Sequence, residues 1–194
     1  MKIGLTGDIG SGKSTALQIF GEEGFFTLST DAIVHDLLRE DKPLIRLIVD
    51  EFSPDVVTET RGVDRKKLGE IIFDSPQKRS KLESLIHPRV REVWQRAVDE
   101  VDERAIVVEI PLLFEKRLEK HFDYSVTVYS SLDIKIERLR GRNMTEVAIR
   151  ARLDAQLDQE SKAKQSDFLI FNNGTQDFLR EQIKHCILRM KAQL

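Results

Sequence analysis

The sequence has little that could staple or anchor it. Of its 194 residues, 1 is a cysteine, Cys186. A single thiol excludes an intrachain disulfide and any cysteine-held zinc. An isolated Cys in the last amphipathic segment reads as an inert helix residue. No apolar run reaches membrane-spanning length, so no membrane partner is expected. Formal net charge is −2, from 31 basic and 33 acidic side chains. That balance gives no bulk attraction to nucleic acid or to an anionic lipid surface. Any polyphosphate site must therefore be local. Internal repeats and low-complexity stretches are absent. The first strand starts at Lys2, which leaves no room for a signal peptide and makes a cytoplasmic location the expectation. Hydrophobic residues at 40% and charged residues at 33% are ordinary for a soluble globular chain. The length suits one domain with small inserted subdomains and a core that needs no staples.

What is present is an alternation of short apolar strands with helices. Lys2–Thr6 (KIGLT), Phe25–Leu28, Ala105–Ile110 (AIVVEI), Asp123–Tyr129 (DYSVTVY) and Phe168–Phe171 (FLIF) read as strands. Helical spacing predicts helices over 12–22, from Thr30 or Ser29 through Leu38, over 132–142, over 145–164 and after Gly174. Ser80–Val101 places Leu82, Leu85, Ile86, Val90, Val93 and Ala97 on one face of a long helix. Pro88 should kink or restart it. Residues 41–79 read as helical pieces broken by Pro43, Pro54, Gly62 and Pro76. The fold class is α/β, with about five parallel strands and helices on both faces. Such sheets bind ligands at the C-terminal ends of their strands. Three features lie there: the loop after Thr6, Asp31 after the second strand, and Glu109 at the end of AIVVEI.

Gly7-Asp8-Ile9-Gly10-Ser11-Gly12-Lys13-Ser14 satisfies GxxxxGK[ST], with a strand directly before it and a helix directly after. Glycines let backbone N–H groups turn inward around phosphate oxygens. The helix starting near Lys13 aims unsatisfied N–H groups and its positive dipole end at the same anion. Lys13 can bridge the β- and γ-phosphates as a point charge, and the Ser14 hydroxyl can ligate Mg²⁺. Asp8, Ile9, Gly10, Ser11, Gly12, Lys13, Ser14 and Thr15 are thus the candidate contacts to ATP. Asp8 is an anion inside an anion-binding loop. Only its N–H needs to face the nucleotide, so its carboxylate is expected to point outward.

A small-molecule kinase and a nucleotide-gated switch both carry such a loop. No guanine-reading NKxD sequence is present, and the length leaves no room for an effector domain. Asp31 can be an acceptor carboxylate beside a substrate hydroxyl, or a helix cap worth about 1 kcal/mol. Arg138, Arg140 and Arg142 can close over a transferring phosphoryl group, or form a solvated helix face. Glu109 can be a buried acid pairing a neighbour, but at the end of an apolar strand beside the glycine loop it is better placed to order a Mg²⁺-bound water.

With these residues in view the chain resembles the dephospho-CoA kinase family over nearly its whole length. The resemblance rests on GLTGDIGSGKST, Thr30-Asp31-Ala32-Ile33, Leu85-Ile86-His87-Pro88, Glu109-Ile110-Pro111-Leu112-Leu113-Phe114-Glu115, Arg138, Arg142 and Asn143, Arg152 with Gln156, and Asn172-Asn173-Gly174. It implies ATP- and Mg²⁺-dependent phosphorylation of the ribose 3′-hydroxyl of dephospho-CoA by a monomer. It implies a nucleotide-binding core (about 1–30, 102–113 and 144–194), a helical CoA-binding insertion (about 31–101) and a lid (about 114–143). In the roles it implies, Lys13, Asp31, Arg138 and Arg142 are catalytic, and Arg152 and Asn173 touch the nucleotide. His87 and Arg91 touch the CoA substrate, and Ser14, Asp31 and Glu109 hold the metal. His87 has a structural alternative, its Nδ1 capping a helix that restarts at Pro88. The family usually has Gly where this chain has Asp8, Asp-Ala-Asp where it has Ser29-Thr30-Asp31, and often Asp where it has Phe171. Another small P-loop kinase is the rival enzyme, although the Gly-Gly-Gly loop typical of shikimate kinases is absent. An ATP-gated binding module is the rival outside enzymes.

Overall fold

Short β-branched runs build a sheet covered on both faces. The structure, a computed structural model, describes residues 1–58, 62–73, 75–101 and 105–193. Among these, β1 (Lys2–Thr6), β2 (Phe26–Ser29), β3 (Ile106–Glu109), β4 (Tyr124–Tyr129) and β5 (Phe168–Phe171) form one sheet in the order β2-β3-β1-β4-β5. Every pairing is parallel. The side chains of Ile106, Val107 and Val108 are all fully buried. Consecutive residues point to opposite faces, so both faces of β3 are covered, as parallel sheets require. Each such side chain contributes about 1.5–3 kcal/mol by leaving water.

The chain divides into two compact units, Met1–Ser29 with Val101–Leu194, and Thr30–Glu100. In the first, α1 (Lys13–Glu22) crosses from β1 to β2 and buries Ala16, Ile19 and Phe20, three and four apart. The last helix, α9 (Gln176–Lys191), buries Leu179, Ile183, Cys186, Ile187 and Met190. Both faces join Ile3, Leu5, Val126, Val128 and Ile170 in one core. Residue 102, where the sequence resumes the expected core, lies outside the described residues.

Cys186 is buried, and burial pushes its thiol above the ordinary value, slightly offset by Arg189. A neutral, inaccessible thiol is a poor nucleophile. Cys186 should label with a thiol reagent only as fast as the chain opens, so labelling and loss of helical signal should run together in denaturant. Rapid labelling of the folded protein would contradict this packing of α9.

Two expectations on this unit are corrected. The helix over 145–164 is two helices, α7 (Glu146–Asp154) and α8 (Gln159–Gln165). Asp158 ends the run by accepting from the Ser161 N–H, a cap that starts a new helix. The range 114–143 expected as a lid contains β4, bonded on one side to β1 and on the other to β5. A strand paired on both edges cannot travel with a flap, so that stretch belongs to the core.

The second unit is helical: α2 (Thr30–Glu40), α3 (Lys42–Glu51), α4 (Arg65–Ile72) and α5 (Pro76–Glu100), with an antiparallel bridge between Val57 and Val63 among the described residues. Asp41 and Asp64 cap α3 and α4 through their side-chain oxygens. The restart expected as one outcome at Pro88 does not occur, and α5 runs through it. Proline removes one backbone bond. The face carrying Leu82, Ile86, Val90, Trp94 and Val98 is buried along the helix and packs with α2 and α3, which outweighs that single loss. His87 therefore caps nothing. It is exposed one turn before the exposed Arg91, on the same side of α5. Phe73, just after α4, is 74% exposed.

Candidate active site

The glycine loop leaves β1 at Thr6 and enters α1 at Lys13. Two of its glycines are required by what surrounds them. Gly7 has φ +146°, and a Cβ there would stand 2.4 Å from the Val128 backbone oxygen. Gly12 has φ +92° at the N-cap of α1, and a Cβ there would stand 2.0 Å from Asn172 Nδ2. Gly12 brings no side-chain acceptor, and the first turn of α1 holds no acidic residue. No capping or acidic side chain thus competes with an external anion at the start of α1. Ser14 is exposed, and Ile9, Lys13 and Thr15 are half-buried, so the helix start can be reached. The Asp8 carbonyl accepts from the Ser11 N–H at 3.2 Å and from Lys13 Nζ at 3.0 Å.

Asp8 does not point outward. Its carboxylate is buried and pairs with Lys135 Nζ at 2.7 Å, with Lys162 Nζ at 3.7 Å. Two buried ammonium groups are the reason: they offset the cost of taking the carboxylate out of water. They also neutralise a charge that would oppose phosphate.

One face of α6 (Leu132–Arg140) forms the floor of the loop. Lys135, Arg138 and Leu139 lie three and four apart, hence on one side. Lys135 holds Asp8, and a Cβ on Gly10 would already press on Leu139 at 3.1 Å. Arg138 donates to Gly10 O and Ser11 O at 3.3 Å each, to Ser130 Oγ at 3.1 Å and to Asn172 O at 2.9 Å. It is therefore a brace of the loop, not a cation carried on a free flap. Burial draws its guanidinium below the ordinary value, and the nearby Arg142 charge acts in the same direction. Arg140 and Arg150 both pair with Glu146, at 2.8 and 3.0 Å. Arg142 and Arg152 are exposed and have no ion-pair partner among the described residues. The run of arginines thus separates into a solvated pair, a brace and two cations open to an anion.

Asn172 and Asn173 have different partners. Asn172 is buried and donates from Nδ2 to Ser11 O at 2.8 Å. Asn173 is exposed and accepts from the Ser131 N–H at 2.9 Å. Glu109 is buried as the last residue of β3, in register with Leu5 of β1 and Ser29 of β2. Its carboxylate thus belongs to the strand ends from which the loop departs. In the second unit Asp31 is exposed in the first turn of α2, one residue inside the helix start. Its carboxylate accepts no hydrogen bond among the described residues, so it is not a cap. The residues missed from sequence are Lys135, Lys162, Ser130 and Asn172 as holders of the loop. The one signal that could have found the lysines was Asp8 itself, since an acid there demands a buried cation.

The donor set suits ATP and Mg²⁺. It offers a cradle that a Cβ would fill, uncapped helix N–H groups, a reachable Ser14 hydroxyl and a carboxylate at the adjacent strand end. Among the described residues, no helix is long and apolar enough to cross a membrane.

Comparison with known proteins agrees with this geometry. The family model described as dephospho-CoA kinase matches residues 1–177. The chain is 36% identical over 185 residues to a protein of Enterococcus faecalis named dephospho-CoA kinase, covering 94% of this chain and 93% of that one. A Bacillus licheniformis protein of the same name is 37% identical over 177 residues, covering 89% and 88%. Among solved structures, the dephospho-CoA kinase from Campylobacter jejuni superposes with a TM-score of 0.74 at 31% identity, covering all of both chains. Shikimate kinase from Acinetobacter baumannii, at a TM-score of 0.58 and 12% identity over 99% and 93%, shares the fold. The chain belongs to the dephospho-CoA kinase family.

Proposed function

We propose that this chain transfers the γ-phosphoryl group of ATP to the ribose 3′-hydroxyl of dephospho-CoA, giving CoA and ADP. The observation that carries this reading is the glycine loop with its uncapped helix, in a chain matching the family model over residues 1–177. Loop N–H groups and Lys13 hold the phosphates. In the structure Lys13 rests on the Asp8 carbonyl, within the loop it would leave to reach phosphate oxygens. Ser14, Glu109 and Asp31 are the residues that would hold Mg²⁺. When bound, that ion withdraws charge from the phosphates as the bond to the leaving oxygen breaks. Asp31 accepts the proton of the attacking hydroxyl. The transition state is loose, so its larger contribution is to aim that oxygen. Arg142 neutralises charge on the transferring group, while Arg138 keeps the loop in register beneath it. Arg152 and the Asn173 turn contact the nucleotide, and His87 and Arg91 present one polar face of α5 to the CoA substrate. The protein works as a monomer in the cytoplasm.

Incubation with ATP, Mg²⁺ and dephospho-CoA should form CoA and ADP one for one. Preference for a different alcohol would reassign the acceptor. Slow ATP hydrolysis indifferent to every acceptor would favour the binding-module reading.

A further inference from the structure

Behind the glycine loop lies a set of paired, largely buried charges that the phosphoryl-transfer roles above leave unused. Asp8 pairs with Lys135 at 2.7 Å and lies 3.7 Å from Lys162. Lys162 pairs in turn with Glu115 at 3.1 Å and donates to Pro111 O at 3.2 Å. Glu115 also accepts from the Leu157 N–H at 2.9 Å. Two carboxylates face two ammonium groups, so the set is neutral. The Lys162 side chain is 0% exposed, Lys135 4% and Asp8 7%. Through these contacts the loop after β1 is tied to the segment after β3 and to the junction of α7 and α8.

Asp8 is held on two sides. Its carboxylate is fixed from behind, while its carbonyl receives the Ser11 N–H and Lys13 Nζ within the loop. Fixing the carboxylate therefore fixes the carbonyl, and with it the turn at Ser11 and the resting place of the lysine that meets phosphate. Among the described residues with a side chain only Arg117 and Asn143 have positive φ. Asp8 thus carries its Cβ without backbone strain. A glycine at this position would lack any lateral anchor.

We propose that Asp8 and Lys135 are a positioning pair for nucleotide binding: the buried pair sets the phosphate loop, and Lys162 couples it to Glu115. This rests on the ATP-binding reading but not on the identity of the acceptor. A carboxylate merely tolerated near the phosphates would behave in the opposite way, since its removal would leave ATP binding unchanged or tighter.

The test is a double-mutant cycle on the full chain: Asp8→Gly, Lys135→Met and the two together. The readouts are ATP affinity by calorimetry, KM for dephospho-CoA and Tm. Each single change strands a buried charge and should weaken ATP binding by about tenfold or more. KM for dephospho-CoA should hold within about twofold, and the double variant should stay about as weak for ATP as the weaker single, since the loop has lost the same anchor either way. Equal or tighter ATP binding by Asp8→Gly overturns the proposal. So does a double variant that regains the parent ATP affinity, or a fall in Tm with ATP affinity intact. If Lys135→Met does not fold, Asp8→Asn keeps the shape and removes only the charge. It should weaken ATP about tenfold, and unchanged affinity would overturn the pair. Because ATP binding is measured without an acceptor, failure to make CoA would reassign the substrate and leave this test standing.

Discussion

Gly7→Ala should lower ATP affinity by at least about 100-fold, because the loop cannot keep its path with a Cβ at that position. Two penalties coincide. The backbone has φ +146°, which L side chains rarely adopt, and the new atom would lie 2.4 Å from the Val128 backbone oxygen and 2.8 Å from Ser11 Oγ. The hydroxyl can rotate away, but the carbonyl cannot. Val128 is fully buried in β4 and in register with Ile170 of β5. Relief must come from the loop, whose carbonyls are already held by Arg138 and Asn172. Gly24→Ala is the control. Gly24 also has positive φ, +91°, but nothing lies within 4 Å of a Cβ there. It should cost about 1–2 kcal/mol of stability through backbone conformation alone and leave ATP affinity intact. Calorimetric titration with ATP and thermal melts of both variants check the contrast. Gly7→Ala binding within about threefold of the parent would show that the loop adjusts more freely than these contacts allow.

What could be read in advance follows the range of the interactions involved. The parallel sheet was legible because AIVVEI and FLIF are local patterns that parallel pairing demands. The loop was legible because Gly7, Gly12 and Lys13 serve one purpose within a few residues. Its supports were not, because Lys135, Lys162 and Asn172 lie more than a hundred residues away in sequence and meet the loop only through tertiary packing. The arginines show the same limit. Sequence places Arg138, Arg140 and Arg142 together, but helix geometry turns Arg138 under the loop and Arg140 toward Glu146. Pro88 misleads for a related reason: local propensity argues for a break, and the buried face of α5 overrides it. Asp8 is a partial exception, since an acid in an anion-binding loop implies a buried cation but does not say which residue supplies it.

Asp31→Asn should lower kcat by about 100-fold or more while leaving ATP affinity within about twofold. The substitution preserves shape and hydrogen-bonding reach but removes the proton-accepting charge. A purely structural Asp31 would act through the positive end of α2, where an acid in the first turn contributes about 0.3–1 kcal/mol. The two roles therefore separate cleanly. The structural role predicts a small fall in Tm with turnover preserved, and the acceptor role predicts lost turnover with Tm nearly unchanged. The observed geometry favours the second. Asp31 is exposed, lies inside the helix instead of at its cap, and accepts no hydrogen bond among the described residues. It lies two residues after Ser29, the last residue of β2. Single-turnover measurements with bound ATP would isolate the transfer step from product release. A full-sized burst of CoA formation by Asp31→Asn would remove it from the chemistry and leave the aiming of the hydroxyl to other residues.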